Sequence, residues 1–391
     1  MRKLILALAL AGIFAGCADK DINNEDKPSI KAIETDQSKT KEEIDDDNEE
    51  NIAEDEDEDY ELYGDYQKHQ ETIYEYFDTV TTFIAYTKTE EEFDKYKNIL
   101  TEELAKYHKL YNSYDHFDGV NNFLAINQNA GKEPVQVDPK IIDLIKYSKE
   151  MYELTEGNID IAMGSLLGLW HEYREMSINN PDKAAIPRED DLVKASQHKD
   201  IDAIVIDEEK STVYINDKDV QIDIGAIGKG YATKLIGEKL KEAGLEAGIL
   251  SVGGDDVLIG KNPSSSTGIW KIAIQNPDLE DKENPYIAVA KLGEESVVTS
   301  GDYQRFFVVD GKRYHHIIDP ATMYPSTRWT SVSVVLDDIA LADTISTYLF
   351  IVDLEKGKEV AEKYGAKVLW IGTDGKQYRT DSWAEIEEAI E

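Results

Sequence analysis

Cysteine is nearly absent: the 391-residue chain has one, Cys17. A single thiol excludes an intrachain disulfide framework and a Cys-rich metal centre, so stability must come from a conventional core. Basic residues are scarce too, with 42 Lys and Arg against 80 Asp and Glu, a formal charge of −38. That balance argues against nucleic acid as a partner, because binding it needs basic surface that displaces counterions. It equally opposes adhesion to anionic headgroups through surface charge. The apolar run at residues 4–14 is ~11 residues long, short of the roughly 20 that a spanning helix requires.

That run does fit the core of a signal peptide, since Arg2 and Lys3 precede it and Phe14-Ala15-Gly16-Cys17 follows. Small residues directly before the only cysteine resemble a bacterial lipobox, where cleavage precedes the cysteine and lipid is joined to its thiol. An ordinary signal peptide with an incidental cysteine is the alternative. Residues 1–16 are thus expected to be a lipoprotein signal peptide, with Cys17 the lipidation site. Residues 17–59 crowd acidic side chains, ending in an unbroken acidic run at 54–59, and hold few large apolar ones. Such a segment cannot bury enough surface to order itself and reads as a disordered tether. A calcium-binding or partner-binding role is the other reading.

Residues 60–391 are long enough for a sizeable core and are expected to form the functional domain. Strands are expected at 79–86, 203–206, 212–215, 249–252, 256–259, 272–275, 288–292, 305–310, 331–336 and 367–371, from β-branched and aromatic content between turn residues. Helices are expected at 90–111, 140–154, 231–243, 340–350 and 354–364, from apolar residues recurring every three or four positions. Strands and helices mix without strict alternation, which predicts an α+β fold with mixed or antiparallel sheets.

Three stretches could carry chemistry. In Asp223-Ile224-Gly225-Ala226-Ile227-Gly228-Lys229-Gly230-Tyr231-Ala232, glycines bracket a lysine just before a helix. Such a loop lets backbone approach an anion, and Lys229 adds a point charge suited to phosphate. It is neither a Walker loop nor a dinucleotide fingerprint, and a plain Gly-rich turn is equally compatible. Next, His315-His316 precedes Ile317-Ile318-Asp319-Pro320 in a chain of seven histidines. Adjacent strand residues face opposite ways, so the pair should not chelate one metal; one facing a cleft could be a general base, and a structural His capping the following turn is the other reading. Third, Asp343 and Thr347 share a helix face at a spacing of four. A carboxylate with a hydroxyl is hard-oxygen chemistry suited to Mg²⁺, although an Asp early in a helix can simply be a cap.

Together and in this order, the motifs resemble the ApbE-type family of FAD:protein FMN transferases, from about Tyr76 to the C-terminal region. The family pattern is Asp-x-Gly-Ala-x-x-Lys-Gly-Tyr-Ala, then Ser-Gly-x-Tyr-x-Arg (here Ser300 to Arg305), His-Ile-x-Asp-Pro and Ala-Asp-x-x-x-Thr. Gly157-Asn158-Ile159-Asp160 with Leu169-Trp170 matches a further Gly-x-x-Asp…Leu-Trp stretch. The resemblance implies that the Ala226 carbonyl, Asp343 and Thr347 hold Mg²⁺ on the pyrophosphate of FAD, assisted by Ser346. It implies that Asp223, Lys229 and Asn158, Ile159 and Asp160 contact FAD, with Phe77 and Tyr114 beside the flavin or adenine. His316 is then the base that activates a Thr or Ser hydroxyl of the acceptor protein, which attacks the FMN-side phosphorus and releases AMP.

The implied partner is a flavoprotein subunit of a membrane redox pump or a secreted electron-transfer protein, reached from the extracytoplasmic face of a membrane. Departures fall on the ligand pocket: Phe77-Asp78-Thr79 replaces a frequent Met-Gly-Thr, Ala162 a Thr, and Thr322-Met323 a Thr-Gly. The alternatives are an FAD pyrophosphatase on the same site, releasing free FMN and AMP, and a non-catalytic flavin-binding lipoprotein.

Overall fold

The structure, a computed structural model, describes residues 64–388. The signal peptide, Cys17 and the acidic tether lie outside the described residues. Eight strands form the main sheet: β1 (Gln67–Ile73), β2 (Thr81–Thr87), β3 (Gly248–Val252), β4 (Asp255–Ile259), β5 (Ser296–Gly301), β6 (Trp329–Leu336), β7 (Lys367–Gly372) and β8 (Gln377–Arg379). They lie side by side in chain order, each antiparallel to its neighbour. The remaining elements are excursions from this meander. Helices α1 (Glu90–Leu110), α2 (Pro139–Leu154), α3 (Gly164–Asn179) and α4 (Gly228–Glu242) come between β2 and β3; α5 (Ile339–Ile351) and α6 (Leu354–Tyr364) come between β6 and β7. The fold is α+β, as the mixed pattern predicts.

Alternation along each strand gives the sheet two dissimilar faces. Phe83, Leu250, Val257, Val298, Val332 and Val368 belong to the core shared with the helices. Ile84, Ile249, Leu258, Val297, Val335 and Leu369 pack instead against a three-stranded sheet of Trp270–Gln275, Tyr286–Leu292 and Glu387–Glu388. A smaller cluster, including Leu166, Trp170, Leu192 and Phe307, ties α3 to the hairpin of Phe306–Val309 and Lys312–His315.

Helix ends follow local chemistry. Thr89 caps α1 ahead of Glu90, Glu91 and Glu92, and Asp138 caps α2 with Pro139 in its first turn. Asp338 caps α5, accepting from the Ala340 N–H at 2.9 Å and the Leu341 N–H at 3.3 Å. The helix expected at 231–243 begins earlier, at Gly228, so Lys229 and Gly230 lie in its first turn rather than in a loop. The strand expected at 305–310 is shorter, Phe306–Val309, and joins a separate hairpin. β1, β5 and α3 were not foreseen. β1 is a polar edge strand without alternation, β5 carries Ser296, Thr299 and Ser300, and the apolar residues of α3 crowd its first two turns.

Phe83 is fully buried and stacks on Phe93 of α1, ring centroids 5.8 Å apart, clamping helix to sheet. Phe83→Ala is expected to lower unfolding free energy by about 3–5 kcal/mol, read from the urea midpoint.

Candidate active site

The polar centre lies where α4 and α5 meet the strand ends of the helical face. α5 is buried almost all round, so its polar side chains at Asp343, Thr344 and Ser346 are themselves buried. Asp338, not Asp343, makes the cap, which leaves the Asp343 carboxylate for other work. α4 approaches so closely that a Cβ on Gly230 would stand 2.4 Å from the Asp343 Cβ. Gly230 accordingly donates its N–H to Asp343 Oδ2 at 2.7 Å. One residue back, the Lys229 ammonium contacts the carboxylate of Asp255, the first residue of β4. Asp255 is delivered by the two-residue turn Gly253-Gly254, whose φ values of 64° and 88° suit a tight hairpin.

Burial raises the Asp255 and Asp343 carboxyls above the ordinary range, and Asp343 pushes Asp255 up further while Lys229 pulls both down. Burial works against the Lys229 ammonium, but the two carboxylates outweigh it and its pKa is raised. Two acids thus share one ammonium in this cluster. Beside it, Ser346 Oγ lies 2.8 Å from Ser300 Oγ, and Thr347 Oγ1 lies 3.5 Å from the same atom. Carboxylate, hydroxyl and backbone oxygen are the donors Mg²⁺ prefers, so the Asp343, Thr347, Ser346 and Ala226 set fits such an ion in donor chemistry. A different group, His198, Asp217 and Asp219, brings ligand atoms within 4.8 Å of one another. Its members are already paired, His198 with Asp217 at 3.2 Å and Lys218 with Asp219 at 2.5 Å.

Asp223, ahead of α4, is fully engaged. Its Oδ1 accepts from the Gly225 N–H at 2.7 Å and its Oδ2 from the Tyr114 hydroxyl at 2.9 Å. Tyr114 stacks on His171 of α3 at 4.4 Å, and His171 Nδ1 accepts from Arg174 at 2.8 Å. The 158–160 segment reaches this loop through backbone: Asp223 donates its N–H to the Ile161 carbonyl at 2.9 Å. Ile159 sends its side chain into the main core, and the Asn158 amide donates to the Thr155 carbonyl at 2.9 Å. Asp160 is buried, accepts from the Ala162 N–H at 2.8 Å, and is raised to about 6, chiefly by burial. Phe77 packs edge-on against His108 and donates its N–H to His108 Nδ1 at 3.1 Å.

The adjacent histidines differ in setting: His315 ends the strand Lys312–His315, and His316 lies in the bend after it. His315 is buried; its Nε2 meets the Ser326 carbonyl at 2.6 Å and its Nδ1 accepts the Ile317 N–H at 3.2 Å, so it braces the turn as a neutral ring. His316 is partly open to solvent, with Nδ1 at 3.3 Å from the Arg305 carbonyl. Donation from Nδ1 assigns the lone pair to Nε2. Burial by surrounding atoms, then neighbouring charges led by Arg305, hold the His316 pKa well below the usual histidine range, so the ring is neutral at pH 7 with a free lone pair. Arg305 acts electrostatically on both His316 and Lys229, which links the two halves of the site.

Asp255, His171 and Arg174 were not singled out from sequence. For Asp255 a signal existed: an acid directly after a Gly-Gly turn, at a position whose strand neighbours Val257 and Ile259 face the core. The pKa of Asp160 gives a pH test. A carboxyl near 6 when folded, against 3.8 in the free chain, favours folding below about pH 4 and loses that contribution as pH rises through 6. Asp160→Asn is therefore expected to stabilise the fold by about 1–3 kcal/mol at pH 7.5 and by almost nothing at pH 4. Denaturant titrations at the two pH values check this.

Against this geometry, the sequence matches the model of the ApbE family over residues 77–370. The FAD:protein FMN transferase of Vibrio cholerae is 31% identical over 261 residues, 66% of this chain and 75% of that protein. That of Haemophilus influenzae is 31% identical over 253 residues, 63% of this chain and 71% of the relative. Among solved structures, the ApbE protein of Thermotoga maritima gives a TM-score of 0.71 at 27% identity, covering 83% of this chain and all of that one (100%). The flavin transferase ApbE of Vibrio cholerae shares the fold, with a TM-score of 0.68 at 24% identity, covering 82% of this chain and 99% of its own. The match runs from the Phe77 loop through both halves of the site to Trp370 in β7, and this chain belongs to the ApbE family.

Proposed function

We propose that this protein is a Mg²⁺-dependent FAD:protein FMN transferase, held by a lipid on Cys17 at the extracytoplasmic face of a membrane. The observation that carries the reaction is the pairing of a neutral His316, with its proton-accepting nitrogen assigned, and a lysine–carboxylate centre at the start of α4. Relatives named FAD:protein FMN transferase support the substrate pair.

The acceptor is a Thr or Ser hydroxyl of a target protein. Its oxygen forms a bond to the FMN-side phosphorus, the bridging P–O bond breaks, and AMP leaves with the bonding electrons. His316 Nε2 takes the hydroxyl proton, while the Arg305 carbonyl holds the ring through Nδ1. Lys229 and the N-terminus of α4 place positive charge where the pyrophosphate is expected. Asp343, Thr347 and the Ala226 carbonyl, with Ser346 next to them, are the residues to hold Mg²⁺, which supplies neutralisation of charge on the pyrophosphate. Tyr114, Phe77 and the Asp223 loop are the candidates for seating the rings of FAD. Attachment follows from the leader and lipobox, and such a position fits a target among membrane or extracytoplasmic redox proteins.

Paired substitutions separate the two histidines. His316→Ala is expected to lower AMP release and in-gel flavin fluorescence of an acceptor domain by about 10²–10⁴-fold, with stability changed by no more than about 0.5 kcal/mol. His315→Ala is expected to cost about 1–3 kcal/mol of stability, through the partner groups it leaves behind. AMP and free FMN with a dark acceptor would instead identify a pyrophosphatase.

A further inference from the structure

Lys229 has two carboxylate neighbours, and the fold treats them differently. Asp255 contacts the ammonium directly. Asp343 has Oδ2 occupied by the Gly230 N–H at 2.7 Å and acts on Lys229 at longer range. Asp255 is 1% exposed, so its carboxylate is tolerable only with a partner. Its position is rigid. The Gly253 N–H is tied to the Val80 carbonyl at 2.9 Å, and a Cβ there would meet Thr79 Oγ1 at 2.5 Å. The next residue, Asp256, faces away toward the small sheet, as alternation requires, and lies in a pocket with Ile272 and Val297. The chain thus fixes one particular acid against Lys229, in addition to the carboxylate that the metal set uses.

An ammonium beside two carboxylates can neutralise either. If Lys229 paired with Asp343, the one carboxylate of the metal set would be masked and the lysine drawn away from the substrate phosphates. We propose that Asp255 is the positioning counter-ion of Lys229: it keeps the ammonium on the β4 side, leaving Asp343 free for a divalent cation. Asp255 touches neither metal nor substrate in this account; it acts through Lys229. The inference rests on the Mg²⁺ and phosphate roles proposed above.

The test is direct calorimetric titration of Mg²⁺ into the full-length protein without FAD, with Asp343→Asn marking heat that arises at other sites. Asp255→Asn is expected to weaken the Asp343-dependent binding by about 10-fold or more, in the range seen for residues that support a ligand set. Adding Lys229→Met to that variant is expected to restore affinity to within about threefold of wild type, because no ammonium remains to mask Asp343. Asp255→Asn with unchanged Mg²⁺ affinity and a lower melting temperature would reduce Asp255 to a structural ion pair and overturn the proposal. A double variant as weak as Asp255→Asn would make Asp255 a ligand itself, which also overturns it. Should Asp255→Asn not fold, Asp255→Glu, which keeps the charge but moves it, reads the same positioning: binding weakened about threefold or more and restored by adding Lys229→Met supports the proposal, and unchanged binding overturns it. Wild-type protein with no Asp343-dependent heat would remove the metal assignment, and this inference with it, while leaving AMP release as a separate check on the transferase reading.

Discussion

Everything in the site depends on how closely α4 can approach α5. The contact is between Gly230 and Asp343, and there is no room between them for even a methyl group. That approach exposes the Gly230 N–H to the carboxylate and brings Lys229, the residue before it, within electrostatic reach of Asp343. The approach is reinforced at the start of α5, where Lys234 from the second turn of α4 reaches the cap Asp338 at 2.6 Å. A glycine inside a helix weakens it by roughly 1 kcal/mol relative to alanine. Here that weakness is what lets two buried polar segments share one space.

Charge is arranged against the grain of the rest of the molecule. A chain with a formal charge of −38 repels anions at long range, so an anionic substrate must be attracted locally. Lys229, Arg174 and Arg305 supply that local field, and each feels at least one of the others. Burial first, then Arg305 and more weakly Arg174, lower the His316 pKa, because a protonated ring would add another cation beside them. In the proposed reaction these arginines favour phosphate and also help to keep His316 unprotonated.

What could be read from sequence divides along physical lines. Helices α1, α2 and α6 were legible because their apolar spacing and caps lie in adjacent residues. The meander of the main sheet was not, since its neighbours β2 and β3 are separated by all of α1 to α4, and nothing local encodes that pairing. At the site, the Asp343–Thr347 and Lys229 motifs were legible as clusters of residues close in sequence. Asp255 was not, because its importance arises only when β4 and α4 meet. The division between His315 and His316 was legible only through the family resemblance: His316 lies past the strand that ends at His315, and the Ser326 carbonyl marks His315 as the bracing ring.

The departure at Phe77-Asp78-Thr79 has a conformational explanation. Phe77 and Asp78 have φ values of 57° and 49°, in the left-handed region that glycine enters freely. The family resemblance often has glycine, which enters this region without steric cost, at the position of Asp78. Asp is among the few other residues that tolerate this region, and the loop is held from both sides. The Phe77 N–H is bound by His108, and the Thr79 N–H reaches the Tyr76 carbonyl at 3.3 Å. Since Thr79 also abuts Gly253, the strained loop presses on the turn that delivers Asp255, joining the expected flavin edge of the site to its lysine–carboxylate centre.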